Sequence, residues 1–160
     1  MQKIHIQLED NQVVYFTSDL HFGHRNVIKF CNRPFSDEKE MQIALIENWN
    51  NTVSDNDIVF VLGDTFWFND SRTIKKVLTQ LKGKCIYILP GNHDEFAYYH
   101  RVEDPRIILC QDVSVVWVSK NNKILTEIWL SHYPMMTWPH RERGAIQLFG
   151  HIHSQLGKTE

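Results

Sequence analysis

The sequence predicts a single α/β domain built around a mixed sheet, and three observations carry that expectation. Two amphipathic helical stripes alternate with short apolar runs in the first part of the chain, the rhythm of β-α-β units. Beyond Pro105 the pattern changes to strands alone. The 160 residues make about one domain, and a chain of ~150 residues buries roughly 68–70% of its unfolded surface, enough for a proper core.

Ile4, Ile6 and Leu8 alternate with polar residues, the turn-prone Glu9-Asp10-Asn11-Gln12 follows, and Val13-Val14-Tyr15-Phe16 comes next. The chain is therefore expected to open as a hairpin feeding the core. Ser36 is placed to cap a helix with Asp37 and Glu38 in its first turn. Met41, Ala44, Leu45 and Trp49 then recur at i, i+3, i+4 and i+8, giving it one buried stripe. Ile58 to Leu62 reads as a buried strand. A second helix starts near Ser71, with Ile74, Val77, Leu78 and Leu81 at i, i+3, i+4 and i+7 and Gly83 as its stop. Ile86 to Leu89 is the next strand. The rest reads as a meander: Ile107 to Cys110, Val113 to Val118, the turn Lys120-Asn121-Asn122-Lys123, and Ile124 to Leu130. No repeat, low-complexity tract or linker interrupts residues 1–160, which are expected to form one domain.

Composition narrows the partners. A formal charge of -2 and a pI near 6.5 provide no basic field for wrapping long nucleic acid, so a nucleotide partner has to be held by a local site. Cys31, Cys85 and Cys110 are odd in number and widely spaced without a CxxC, which argues against a disulfide framework and a thiolate zinc site. A cytoplasmic, reducing setting is expected. No run approaches the ~18 apolar residues of a membrane span, so no membrane partner is expected.

Five apolar runs each stop at a residue that binds metals. They end before Asp19-Leu20-His21, Gly63-Asp64, Gly91-Asn92-His93-Asp94, His132, and Gly150-His151-Ile152-His153. Short buried strands ending in polar loops present ligands along one sheet edge. The donors are Asp19, His21, Asp64, Asn92, His132, His151 and His153, oxygen and imidazole without thiolate, a set suited to manganese, iron, zinc or nickel. Seven donors are too many for one ion and about right for two, with Asp64, alone at its strand end, as the natural bridge. His151 and His153 would point the same way on an extended strand, whereas a loop lets each reach a different ion.

At these residues the chain resembles the calcineurin-like metallophosphoesterase family. Asp19-x-His21, Gly63-Asp64, Gly91-Asn92-His93-Asp94, His132 and Gly150-His151-x-His153 occur in that family's order and approximate spacing, over nearly the whole chain. The phrase Ser18-Asp19-Leu20-His21-Phe22-Gly23-His24-Arg25-Asn26 looks like the small stand-alone members of bacteria and phages. The resemblance implies a four-layer αββα sandwich of two mixed sheets flanked by helices. It implies that Asp19, His21, Asp64 and His153 hold one divalent ion, and Asp64, Asn92, His132 and His151 the other. Manganese is the first choice, with iron, zinc or nickel as alternatives. It implies hydrolysis of a phosphodiester or nucleotide-type ester through in-line attack by a hydroxide shared between cations about 3.5–4 Å apart. His93 is the implied general acid. Asp94, beside it, is expected to hydrogen-bond the ring and hold it protonated.

Flanking residues carry two readings each. His24, Arg25 and Asn26 either contact substrate phosphate or start a short helix, Val27 to Phe30, and Arg25 is the better phosphate candidate because a guanidinium forks onto phosphate oxygens. Asn92 is expected to face substrate as well as metal. Phe66-Trp67-Phe68 either packs or stacks a flat leaving group. Two further functions compete with the leading one: a nuclease for DNA or RNA using the same chemistry, and a non-catalytic scaffold, which would have lost ligands. The sequence stops seven residues after His153, where many relatives of that family continue into further strands. Either a shortened last sheet or completion by homodimerisation is expected.

Overall fold

Two four-stranded sheets pack face to face in the computed structural model, which describes residues 1–153. The first holds β2 (Val14–Thr17), β3 (Ile58–Leu62), β4 (Cys85–Leu89) and β5 (Ile107–Leu109), all parallel. The second has the order β1 (Gln2–Leu8), β6 (Val113–Lys120), β7 (Lys123–Ser131) and β8 (Ile146–Leu148). In it β1–β6 and β7–β8 are parallel, whereas β6–β7 is an antiparallel hairpin. Parallel neighbours need crossovers. The helices α1 (Arg25–Phe30), α2 (Glu38–Thr52), α3 (Ser71–Leu78) and α4 (Phe96–Tyr99) lie in the connections of the first sheet, which is why that sheet is wholly parallel.

Alternation along β3 builds the layers. Val59 and Val61 face outward into a core with Trp49 of α2 and Ile74, Val77 and Leu78 of α3. Ile58, Phe60 and Leu62 face inward, meeting Ile4, Ile6, Val116, Val118, Ile128 and Leu130 of the second sheet. Phe60 is fully buried and stacks between Phe16 (5.3 Å) and Tyr87 (4.5 Å), its register partners on β2 and β4.

Several expectations need correction. The opening strands do not form a hairpin, because β1 joins β6 in one sheet while β2 joins β3 in the other; alternation marks a strand but does not name its partner. The strands after Pro105 are divided the same way, β5 staying with β4. The cap of α2 is Asp37, whose side chain accepts from the amides of Lys39 and Glu40, each at 2.9 Å; Ser36 instead bonds Glu40. Helix α3 ends at Leu78, ahead of Gly83. The two-sheet sandwich is as expected, but one of its sheets is parallel, and among the described residues only the first is covered by α-helices. Over the outer face of the second, Met135 and Trp138 from the β7–β8 connection pack on Val115 and Trp129. No helix among the described residues is long and apolar enough to cross a membrane.

Replacing Phe60 with Ala should cost about 3–5 kcal/mol, the range for a large aromatic lost from a core. Urea unfolding of metal-stripped protein measures it, and a loss under ~1 kcal/mol would mean the aromatic stack is not the keystone of the inter-sheet core.

Candidate metal centre

Because β2, β3 and β4 run the same way, Asp19, Asp64 and Asn92 follow strand ends on one edge, and the parallel pair β7 and β8 delivers His132, His151 and His153. The edge is stitched beyond the strands: the amides of Asp19, His21 and Phe22 donate to the carbonyls of Gly63 (3.0 Å), Asp64 (2.9 Å) and Thr65 (3.0 Å). Five of the seven donor residues hold a left-handed backbone, with φ of 54° at Asp19, 54° at His21, 53° at Asp64, 69° at His151 and 49° at His153. Such angles are uncommon outside glycine and cluster at functional sites. Glycine is required at Gly91, where an added Cβ would overlap the Asp64 carboxylate.

All seven donors predicted from sequence come together. Asp64 Oδ2 lies 3.6 Å from His21 Nε2 and 3.4 Å from His132 Nε2. Asn92 Oδ1 sits 3.0 Å from His132 Nε2 and 2.9 Å from His151 Nδ1. His153 Nε2 lies 3.8 Å from Asp19 Oδ1, so the two histidines of the last loop do reach different neighbours. Two groups have ligand atoms within 4.8 Å of one another, Asp19-His21-His153 and Asp19-Asp64-His132. Asp19 thus belongs to both groups, a share in the junction that the sequence reading gave to Asp64 alone. Its carboxylate also accepts the His151 amide at 3.0 and 3.1 Å, tying the β2 edge to the β8 loop.

Three imidazoles are oriented from outside. His132 Nδ1 donates to the Leu62 carbonyl at 2.8 Å, His21 Nδ1 faces His24 Nδ1 at 3.2 Å, and His153 Nδ1 faces Cys31 Sγ at 3.3 Å. A proton on Nδ1 turns Nε2 toward the shared centre, and where Nε2 carries a proton as well, as His132 does when it donates to Asp64, a bound cation has to displace it. His21 Nε2 is buried without a hydrogen-bond partner. Burial is also the main reason its pKa drops to about 3, so this ring is neutral at physiological pH. Burial opposes charge on Asp64 too, but the His132 hydrogen bond, the His93 amide and both imidazoles outweigh it and hold the carboxyl below its ordinary range. His132 is raised, since Asp64 and the Leu62 carbonyl overcome burial. An ionised carboxylate among inward-facing imidazole and amide donors fits a divalent cation.

The expected substrate contacts fare unevenly. The exposed His93 has its amide on Asp64 Oδ1 (2.9 Å) and its ring 5.6 Å from that of His21. Asp94 does not touch the His93 ring. It turns inward, accepting from the amides of Thr65 (2.9 Å) and Gly91 (2.9 Å) and from the Tyr99 hydroxyl, and burial pushes its pKa up. Its place is to anchor the Gly91–Asp94 turn. His24 is buried against His21, a candidate ligand, with its ring stacked on Trp67 (3.9 Å), so its ring is not open to solvent as a phosphate contact would be. Arg25 is exposed with a loose 3.9 Å pair to Glu38. Of the aromatic triplet Trp67 alone is exposed, at 44%, while Phe66 is buried.

Sequence reasoning missed Arg33. Its guanidinium donates to the carbonyls of Asp19 (2.6 Å) and Leu20 (2.9 Å), clamping the left-handed turn, though nothing in the local sequence signals a contact made across the fold. Cys31 was dismissed as a ligand, and it stands behind one.

Against known proteins, the model of the family described as calcineurin-like phosphoesterase matches residues 13–155. The chain belongs to that family. Relatives include the Gene 66 protein of Mycobacterium phage D29, 28% identical over 89% of this chain and 79% of its own, and its counterpart in Mycobacterium phage L5, 27% identical over 89% and 78%. The uncharacterized protein MJ1445 of Methanocaldococcus jannaschii is 48% identical over 56% of this chain, a match that spans 51% of its own length. Among solved structures, the protein of unknown function AQ665 from Aquifex aeolicus superposes with a TM-score of 0.58 at 26% identity, covering 83% of this chain and 68% of that one. In this family member, then, the donor set sits where the fold converges.

Arg33→Met leaves two carbonyls without a charged donor and should destabilise metal-stripped protein by roughly 1.5–3 kcal/mol. Urea titration would show it, and a loss below ~0.5 kcal/mol would mean water replaces the clamp.

Proposed function

We propose that the chain is a dinuclear metal-dependent phosphoesterase acting on a phosphodiester or nucleotide-type ester. The observation that carries this reading is the convergence of seven nitrogen and oxygen donors on one edge, with Asp64 Oδ2 within 3.6 Å of His21 and 3.4 Å of His132. Asp19, His21, Asp64 and His153 would hold one ion, and Asp64, Asn92, His132 and His151 the other, with Asp19 in reach of both. Bound divalent cations, manganese first, supply Lewis acidity toward phosphoryl oxygens and a water acidic enough to attack at neutral pH. The protein's own residues do the rest. His93 projects from the turn whose amide holds Asp64 and is placed to protonate the leaving oxygen. Asp94 fixes that turn. His24 and Cys31 keep His21 and His153 facing inward. Arg25, exposed and loosely paired, is free to reach a phosphate oxygen. The scaffold alternative predicts missing ligands, and all seven are present. The nuclease alternative lacks a basic field in a chain of net charge -2.

The test is hydrolysis of bis(p-nitrophenyl) phosphate beside p-nitrophenyl phosphate, using chelator-stripped protein with manganese restored. Metal-dependent cleavage, faster for the diester, is expected. His93→Ala should keep its metal content and lose roughly 10²–10⁴ in turnover on methyl phenyl phosphate, whose basic phenolate needs the proton of a general acid, and far less on the p-nitrophenyl esters. Asp64→Asn should lose metal at both positions. Cleavage that ignores the chelator would sink the proposal, and full turnover of methyl phenyl phosphate by His93→Ala would take the acid's role from that residue.

A further inference from the structure

A cavity of about 310 Å³ opens directly against the metal-ligand candidates. Asn92 and His132 lie at its inner side, Tyr133, Pro134 and Met135 form a wall, and the exposed Asp112 also lines it. That volume is at the small end of ligand sites. The wall is set in place: Ser131 Oγ donates to the Tyr133 carbonyl at 2.7 Å and accepts from Gln147 at 3.1 Å. The Tyr133 ring stands 4.5 Å from that of His151 and edge-on to His132 at 5.1 Å, yet the residue is 52% exposed. Core packing does not account for an aromatic held this way at the mouth of a polar centre; an aromatic face left open beside bound ligands is a surface for another ring.

We infer that this cavity receives an uncharged, ring-bearing ester group on the phosphorus, the one that remains attached during cleavage. The inference rests on the phosphoesterase reading and deepens it. Direction comes from the two sides of Asp64. On the His21 side stand His93 and Trp67, their rings 4.9 Å apart, where the leaving oxygen takes its proton. The cavity is lined by Asn92 and His132 and by none of His21, Trp67 or His93, so it is assigned to the substituent that does not leave. Charge comes from Asp112, which pairs with no cation among the described residues, while no Lys or Arg lines the cavity. A second phosphate or a carboxylate is repelled there. A monoester would leave the cavity empty, and a pyrophosphate would bring a charge to it. A diester with a neutral ring, of which a nucleoside is the biological type, fills it.

The experiment compares four manganese-supported substrates that share a p-nitrophenolate leaving group: methyl, phenyl, 4-carboxyphenyl and thymidin-5′-yl p-nitrophenyl phosphate. The phenyl and thymidinyl esters should exceed the methyl ester roughly tenfold in kcat/KM, mainly through KM, with the carboxyphenyl ester below phenyl. Tyr133→Ala should bring the ring-to-methyl ratio close to one, Tyr133→Phe should preserve it, and Asp112→Asn should raise the carboxyphenyl ester toward phenyl. A thymidinyl ester above phenyl identifies a nucleoside as the occupant; parity identifies any neutral ring. A ratio near one in the unaltered protein, or one that survives Tyr133→Ala, overturns the inference. Should no ester be cleaved, calorimetry of phenylphosphonate against methylphosphonate on manganese-loaded protein separates the two ideas. Preference for phenyl that Tyr133→Ala removes would uphold the subsite while the hydrolytic reading fails, and equal affinity would end it.

Discussion

Asp64 is buried to 1% exposure, and the arrangement around it follows from that burial. An ionised carboxylate taken out of water costs several kcal/mol unless partners compensate. No Lys or Arg pairs with it among the described residues; it has the His93 amide and two imidazoles. One of those rings is pushed down to a pKa of about 3 by its own burial, so it contributes a lone pair and no charge. Carboxylate and imidazole donors are thus gathered at one point with no Lys or Arg beside Asp64 among the described residues, and such a point suits a divalent cation. On the proposed reading the same constraint explains the inward-facing Nε2 atoms, since a bound cation takes the place of any proton there.

Holding carboxylates and imidazoles this close requires a backbone that turns sharply at the strand ends. Left-handed residues at Asp19, His21, Asp64, His151 and His153 turn the chain at the strand ends, so that His151 reaches Asn92 and His153 reaches Asp19 where an extended strand would send both the same way. Each such residue costs of order 1 kcal/mol or more and persists only when its surroundings over-determine it. Here they do. Arg33 grips the carbonyls on one side, the β2 extension pairs with residues 63–65, and Asp19 binds the His151 amide on the other. The two sheets are consequently locked together at this edge by polar contacts as well as by the Phe60 core beneath.

Much of this was legible in the chain. Apolar runs ending at Asp19, Asp64, Asn92, His132 and His151 exposed the strand-end edge, because buried strands and polar strand ends leave local patterns. Partners chosen across the fold leave none. Nothing near Ile4 says that β1 pairs with β6 instead of β2, and nothing near Arg33 or Cys31 says that they stand behind Asp19 and His153. Asp94 misled for a related reason: adjacency to His93 suggested a hydrogen bond, but the turn sends consecutive side chains in opposite directions, one to solvent and one to Tyr99. His24 was legible as a polar neighbour of the motif but not as the partner of its imidazole.

The second sheet is covered by a connection that also reaches the candidate metal edge. Between β7 and β8 the chain crosses back to reach a parallel strand, as any parallel pair must, and it does so without an α-helix. Met135 and Trp138 drop onto Val115 and Trp129, the Trp138 indole donates to the Ala145 carbonyl at 2.8 Å, and the outer face is closed by side chains of an irregular segment. That segment starts at Tyr133, one residue beyond a buried donor. Its anchorage on the sheet therefore also fixes the ring beside His151 and His132. A helix in that layer would be placed by its own packing stripe; a loop can be lengthened or rewritten while Ser131 and His132 stay fixed in β7 and its end. In this architecture the candidate metal edge is set by strand ends packed against both cores, and the wall proposed to meet a substrate is set by an irregular connection on the outer face of the second sheet.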